Sequence, residues 1–184
     1  LNHRPHAYQA RVNLGVIAQI HHLIGDRPCI LHTLRQTRWA KCTRESTHQS
    51  THPGGHPADQ LLGTVGGILE GEILREEGDL SGAIVAQETA VSWEDQLRYD
   101  EPEPLNFTAR HWLGATLLEA GRATDAEAVY RASLVDHPNN GWSLLGLEQA
   151  LRAQARDAEA DDVHAQFEGA WARSDHWIQT SRYE

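Results

Sequence analysis

The chain has 184 residues, enough for one folded domain and too few for most multi-domain enzymes. Its formal net charge is −10, and this charge is unevenly divided: residues 1–60 carry seven Lys and Arg against three Asp and Glu, whereas residues 61–184 carry nine against twenty-three. The acidic remainder argues against nucleic acid as the main partner, because binding to phosphate needs a basic surface.

The sequence also bears on where the protein resides. No stretch approaches about 18 consecutive apolar residues, and the N-terminal residues lack the apolar core of a secretory signal. We therefore expect a cytoplasmic protein without a membrane partner. The chain begins at Leu1 and contains no Met, so we expect it to be a fragment of a longer gene product.

Residues 1–26 are predicted to form a helical segment. Within the run AYQARVNLGVIAQIHHLIGD, apolar residues recur at helical spacing, namely Val12, Val16, Ile20 and Leu23. Leu14 and Gly15 echo a pair that recurs downstream, which favours the remnant of a preceding repeat.

Residues 27–60 are predicted to be a His-rich loop or linker, because Gly, Pro, Ser, Thr and His displace apolar residues towards their end. A zinc site is the alternative, since Cys and His bind zinc and Cys29, His32 and Cys42 are close in sequence. However, the run HPGGHP breaks the helix that would bring the later His residues to one face, and the spacing of the two cysteines matches no common zinc finger. We therefore predict no metal and no other cofactor.

Three later segments resemble one another: GEILREEGDLSGAIVAQETAV from Gly71, GATLLEAGRATDAEAVYRASL from Gly114 and EQALRAQARDAEADDVHAQFE from Glu148. In each, a Leu comes three residues after the first position, a Gly or Ala seven after it, and an Ala twelve after it. The first two copies start 43 residues apart and the last two 34. A period of about 34 residues with this skeleton is typical of repeated helical hairpins.

Small residues in these copies predict close contact between antiparallel helices, which can approach only where side chains are short. The predicted contact points are Gly71, Ala83, Gly114, Ala126 and Ala160. The turn after each first helix needs a positive φ, which Gly78 and Gly121 adopt readily and Ala155 less so. Asp, Ser and Thr after these turns are expected to cap the second helices, and Pro138 is expected to end the second helix of the middle copy.

Residues 64–174 resemble tetratricopeptide repeats, with the family's signature positions in the middle copy at Leu113, Gly114, Leu117, Ala126, Tyr130 and Pro138. The combination of LRYDEPEP, LGATLLEAGRATDAEAVYR, HPNNGWSLLGLEQALRAQ and SRYE looks like the C-terminal end of long bacterial tetratricopeptide proteins of unknown function. The resemblance implies an all-α fold: an α-solenoid of about three antiparallel hairpins over residues 61–184, with the last helix serving partly as a cap.

The sequence departs from the family at four positions. Arg110 and Leu144 stand where the family has an early Trp, Glu148 stands where a small residue is typical, and His164 replaces an aromatic residue. These departures leave the packing of the third hairpin open.

In such a stack the first helices line a concave face, and the resemblance implies that this face binds a peptide. The groove-facing positions are then Glu72, Arg75, Glu76, His111, Leu118, Glu119, Trp142, Gln149 and Arg152. The alternative is that these residues are only the solvated faces of amphipathic helices. Arg75 and Arg152 do not form the basic clamp that chaperone-binding members of the family carry, so that function is disfavoured.

The connection between the first two copies, residues 92–110, contains Pro102 and Pro104, which forbid a continuous helix. We interpret it as an extended loop between repeats. The alternative is an acidic lip, centred on Asp100 and Glu101, that recruits a basic peptide to the groove.

The chain lacks the common sequence motifs of enzymes. It contains no G-x-S-x-G, no phosphate-binding Gly-rich loop ending in Lys-Ser or Lys-Thr, and no H-E-x-x-H. We therefore predict a non-enzymatic protein–protein interaction scaffold that binds a peptide or a partner protein in its concave face. One alternative is a metal-dependent accessory or hydrolase activity in the His-rich N-terminal region, and another is the purely structural end of a longer solenoid.

Overall fold

Helices make up the regular structure of the part of the chain that is described. The computed structural model describes residues 57–183, and within this range there are six α-helices and no β-strand. The helices are α1 (Ala58–Glu76), α2 (Leu80–Glu94), α3 (Arg110–Glu119), α4 (Ala123–Asp136), α5 (Gly141–Ala153) and α6 (Asp157–Trp171). The predicted all-α class is confirmed for these residues.

The start of α1 moves one predicted boundary. The helical segment predicted for residues 1–26 and most of the linker predicted for residues 27–60 lie outside the described residues. Helix α1 begins at Ala58, ahead of the predicted start of the repeat domain at residue 61. Asp59 lies in its first turn, where the exposed N–H groups of the helix favour a carboxylate. Residues 58–60 therefore belong to α1 and not to the linker.

Helices α1 and α2 pack closely because glycines on α1 let the two backbones approach. A Cβ atom added at Gly71 would lie 2.4 Å from Cγ of Gln87, and one added at Gly63 would lie 2.6 Å from the ring of Trp93. The contacts on α2 advance along the chain as those on α1 go back, so the two helices are antiparallel. The predicted contact at Gly71 is confirmed.

The same inter-helix contact recurs in the other two hairpins with different residues. In the second hairpin, a Cβ atom added at Gly114 of α3 would lie 2.3 Å from Cζ of Tyr130 on α4. In the third, Oε2 of Glu148 on α5 lies 2.9 Å from Nδ1 of His164 on α6. Two of the departures from the family pattern therefore meet at one contact, and a polar pair replaces the packing of a ring on a glycine.

The turns inside the three hairpins have positive φ angles. The φ angle is 87° at Gly78, 74° at Gly121 and 57° at Ala155, which confirms the predicted turn positions. Of these three residues only Ala155 carries a Cβ atom, which in this conformation costs about 1–2 kcal/mol.

Side-chain capping is present at α2 but not at the second helices of the other two hairpins. Oδ1 of Asp79 accepts a hydrogen bond from the backbone N–H of Gly82 at 2.9 Å. Arg122 and Arg156 occupy the corresponding positions before α4 and α6, and no side chain caps either helix. An arginine cannot accept a hydrogen bond, so the capping prediction is wrong at these two helices.

The junction between α4 and α5 follows the prediction. Helix α4 ends at Asp136, shortly before Pro138. The side chain of Asn140 then caps α5, since its Oδ1 accepts a hydrogen bond from the backbone N–H of Ser143 at 3.1 Å.

The main hydrophobic core lies among α3, α4, α5 and α6, with Ile84 contributed by α2. Burial of Leu117 and of Leu151 stabilises the fold by about 1.5–3 kcal/mol each. Ala126 and Ala160 are fully buried, as expected for contact points between helices. Each helix packs against the next, and α3 also contacts α5. Helices α3 and α5 therefore lie side by side, and they support the segment described next.

Candidate functional site

The chain turns back across the helices after α6. We call residues 172–182 the C-terminal segment; it contains neither helix nor strand. The indole Nε1 of Trp171 donates a hydrogen bond to the carbonyl oxygen of His176 at 2.7 Å. Further along, Nε2 of Gln149 on α5 donates to the carbonyl oxygen of Gln179 at 2.7 Å. Side chains of the helices thus hold the backbone of the segment.

Ser181 is inserted between α3 and α4 and is completely buried. Its hydroxyl donates a hydrogen bond to the carbonyl oxygen of His111 at 2.8 Å and lies 2.6 Å from the hydroxyl of Tyr130. A carbonyl oxygen can only accept, so the Ser181 proton is committed to His111 and the Tyr130 hydroxyl is the donor to Ser181. Burial raises the pKa of Tyr130, which keeps this proton on the phenol.

A second buried polar chain lies behind this contact. Nε2 of His111 lies 3.1 Å from Oγ of Ser143, which in turn lies 2.8 Å from Oγ of Ser133. Burial lowers the pKa of His111 to about 4, so the imidazole is neutral near pH 7. A His–Ser pair is a common nucleophile arrangement, but His111 and Ser143 are both fully buried and no substrate can reach them. The pair therefore joins α3 to α5.

Arg182, the next residue of the C-terminal segment, completes a cluster of charges at the surface. Its Nη2 lies 3.1 Å from Oε2 of Glu119 on α3, and its Nη1 lies 3.8 Å from Oε1 of Glu72 on α1. Arg75 bridges the same two carboxylates, at 3.4 Å from Glu72 and 3.5 Å from Glu119. Burial raises the pKa of Glu72, and the charges of Arg182 and Arg75 oppose this shift. Two cations and two anions therefore alternate, and one of the cations belongs to the C-terminal segment.

The predicted groove residues fall into two groups. Four of them lie on helices α1, α3 and α5, either in the charge cluster around Arg182 or against the backbone of the C-terminal segment: Glu72, Arg75, Glu119 and Gln149. We call these four residues the odd-helix face. Glu76 is exposed beside it and pairs with Arg75.

The other four predicted residues have different surroundings. His111 is fully buried, and its carbonyl oxygen accepts a hydrogen bond from Ser181 of the segment. Leu118 packs partly buried against the core. The ring of Trp142 makes an edge contact with Trp171 at a centroid distance of 5.6 Å. Arg152 bonds to Glu148 on its own helix, at 2.9 Å.

Sequence reasoning missed Ser181 and Arg182. The stretch SRYE carried part of the resemblance but implied no role for either residue, and the charge of Arg182 did not distinguish it from the other arginines. The partners of Ser181 are 51 and 70 residues away along the chain.

The connection between α2 and α3 is shorter than predicted, because α2 extends to Glu94. The carboxylate of Glu94 accepts hydrogen bonds from Oγ1 of Thr108 at 2.8 Å and from the backbone N–H of Ala109 at 3.0 Å. Burial raises the pKa of Glu94, while these hydrogen bonds lower it. These hydrogen bonds fix the end of the connection next to α3. The two interpretations of the connection, an extended loop and an acidic lip that recruits a basic peptide, stay predictions.

The described residues show neither a metal-binding cluster nor a membrane-spanning helix. Between residues 57 and 183, no three His, Cys, Asp or Glu side chains are grouped so that they could hold a metal ion. The zinc-ligand candidates Cys29, His32 and Cys42 lie outside the described residues. None of the helices in this range is long and apolar enough to cross a membrane. No protein-family model, curated protein sequence or solved structure matches the chain, so the tetratricopeptide resemblance stays a prediction.

Proposed function

We propose that the chain is a non-enzymatic interaction scaffold of tetratricopeptide-like hairpins that binds a peptide or partner segment on its odd-helix face. One observation carries the proposal: this face already holds a length of polypeptide that has no secondary structure of its own. The contacts are those by which helical surfaces hold peptides, namely a side-chain amide on a backbone carbonyl and carboxylates on an arginine.

The strength of these contacts depends on their burial. Exposed ion pairs contribute about 0–1 kcal/mol, but only 12% of the Arg182 side chain is accessible to solvent. A hydrogen bond to a charged group contributes about 1.5–3 kcal/mol. The carboxylates of Glu72 and Glu119 therefore supply useful binding energy to a cationic side chain that covers them.

Site-directed photocrosslinking in a lysate of the source cells tests the proposal. A photoreactive phenylalanine analogue replaces Glu76, which is 71% exposed beside the odd-helix face, or in a matched chain Glu88, which is exposed on α2. We expect a discrete crosslinked polypeptide from position 76 and none from position 88. Equal crosslinking from both positions, or none from position 76, would contradict binding at this face.

A further inference from the structure

We infer that the odd-helix face, with the buried Ser181 site beside it, recognises partner segments in which a small hydroxyl residue is followed by arginine. The C-terminal segment is then a resident copy of this ligand that partners must displace. The inference rests on the proposed function and adds the chemistry of the partner.

The Ser181 site accepts a hydroxyl and rejects most other groups. It presents one hydrogen-bond acceptor, the His111 carbonyl oxygen, and one donor, the Tyr130 hydroxyl. A hydroxyl satisfies both at once, because it donates one hydrogen bond and accepts others. An alanine would leave the Tyr130 hydroxyl without its acceptor in a completely buried place, a carboxylate could not donate to the carbonyl, and an ammonium could not accept from the phenol.

The neighbouring site selects arginine by its geometry. Glu119 and Glu72 lie on different helices, and two different nitrogens of the Arg182 guanidinium reach them. The planar guanidinium has donors on several sides, whereas a lysine ammonium acts as a point charge. Among the described residues, Arg75 supplies one positive charge to the two carboxylates, so without Arg182 these groups keep an excess negative charge.

In the intact chain the C-terminal segment occupies the odd-helix face and so competes with partner segments. It is tethered directly to α6, so it competes with any partner at an effective concentration on the order of millimolar. Weakening the resident contacts should therefore open the face to a peptide added in solution.

Fluorescence anisotropy with a labelled peptide of residues 175–184, DHWIQTSRYE, tests the inference on the full chain. We expect the Arg182→Ala chain to bind this peptide at least about tenfold more tightly than the wild-type chain does. Replacing the arginine or the serine of the peptide with alanine should weaken binding to the same chain by about tenfold or more, the effect of about 1.4 kcal/mol.

Two further chains control for charge and folding. Arg173→Ala removes an exposed arginine of the C-terminal segment that forms none of the ion pairs among the described residues, and it should behave like the wild type. Arg182→Lys keeps the charge and should give a smaller gain in affinity than Arg182→Ala. Circular dichroism confirms that each chain is folded.

The inference is overturned if the folded Arg182→Ala and Arg182→Lys chains bind the wild-type peptide no better than the wild-type chain does. It is also overturned if the alanine-substituted peptides bind as tightly as the original. If position 76 still crosslinks to a partner in either case, the proposed scaffold function is retained and only the preference for a hydroxyl residue followed by arginine is contradicted. If the peptide results hold and position 76 crosslinks to nothing, the proposed function fails instead.

Discussion

Replacing Gly114 with alanine tests how tightly the second and third hairpins are joined. The ring of Tyr130 lies between two glycines: an added Cβ atom would lie 2.3 Å from Cζ at Gly114 of α3 and 2.2 Å from Cζ at Gly146 of α5. The ring cannot move aside freely, because it is fully buried and its hydroxyl is bonded to Ser181. Overpacking a core costs about 1–3 kcal/mol.

A second cost follows if the ring shifts. Losing the bond between Tyr130 and Ser181 leaves a buried polar group unsatisfied, which costs a further amount of about 1–3 kcal/mol. Replacing glycine with alanine within a helix stabilises the fold by about 0.5–1 kcal/mol, which offsets part of these costs. We therefore expect Gly114→Ala to lower the free energy of unfolding by about 1–5.5 kcal/mol, the range that these contributions span together.

The measurement is urea unfolding of the full chain, followed by circular dichroism at pH 7. Gly169→Ala is the matched control, because Gly169 is exposed on α6 and an added Cβ atom there meets nothing within 4 Å. The same chemical change should stabilise the chain at this position by about 0.5–1 kcal/mol. In a Tyr130→Leu background, Gly114→Ala should cost less, since the ring that it strikes is gone.

A Gly114→Ala chain as stable as the wild type would refute the close packing of Tyr130. An undiminished loss in the Tyr130→Leu background would show that the cost arises elsewhere.

Three other predictions follow from local features. Because the pKa of His111 is lowered to about 4 by burial, the neutral form stabilises the fold fully above about pH 6.5, and up to about 3 kcal/mol is lost as the pH falls towards 4. Urea unfolding should show a smaller loss for a His111→Gln chain in this window; equal losses would contradict the prediction. The pKa of His164 is raised by its hydrogen bond to Glu148, so the pair stabilises the fold below about pH 6.5 and this is lost as the pH rises through the raised pKa. In an NMR titration Glu148→Gln should lower the pKa of His164. An unchanged midpoint would show that Glu148 does not raise this pKa. Ala155→Gly should raise the free energy of unfolding by about 0.5–1 kcal/mol, because it relieves a positive φ of 57°; a destabilised variant would argue against that turn.

Much of the helical framework could be predicted because its signals are local. Gly78 and Gly121 turn through positive φ where the repeat alignment placed them, and Pro138 follows the end of α4. The caps were less predictable, since Arg122 and Arg156 leave their helices without side-chain acceptors.

The candidate site was predictable only in part. The resemblance to tetratricopeptide repeats implied that Glu72, Arg75 and Glu119 share one face, and in the structure Arg75 contacts both carboxylates. The same resemblance could not show that His111, although on a first helix, is fully buried. Burial depends on which helix packs over a residue, and spacing within one helix does not contain that information.

The sequence by itself determined the helical class of residues 57–183, the positive-φ turns at Gly78 and Gly121, and the small residues at the contacts between helices, since backbone conformation and side-chain size act over a few residues. The tertiary structure alone decided that Ser181 and Arg182 return to α3 and α1. Their segment has no periodic pattern, and Ser181 meets the His111 carbonyl oxygen 70 residues away. Those contacts exist only because packed helices bring a donor, an acceptor and two carboxylates to one place.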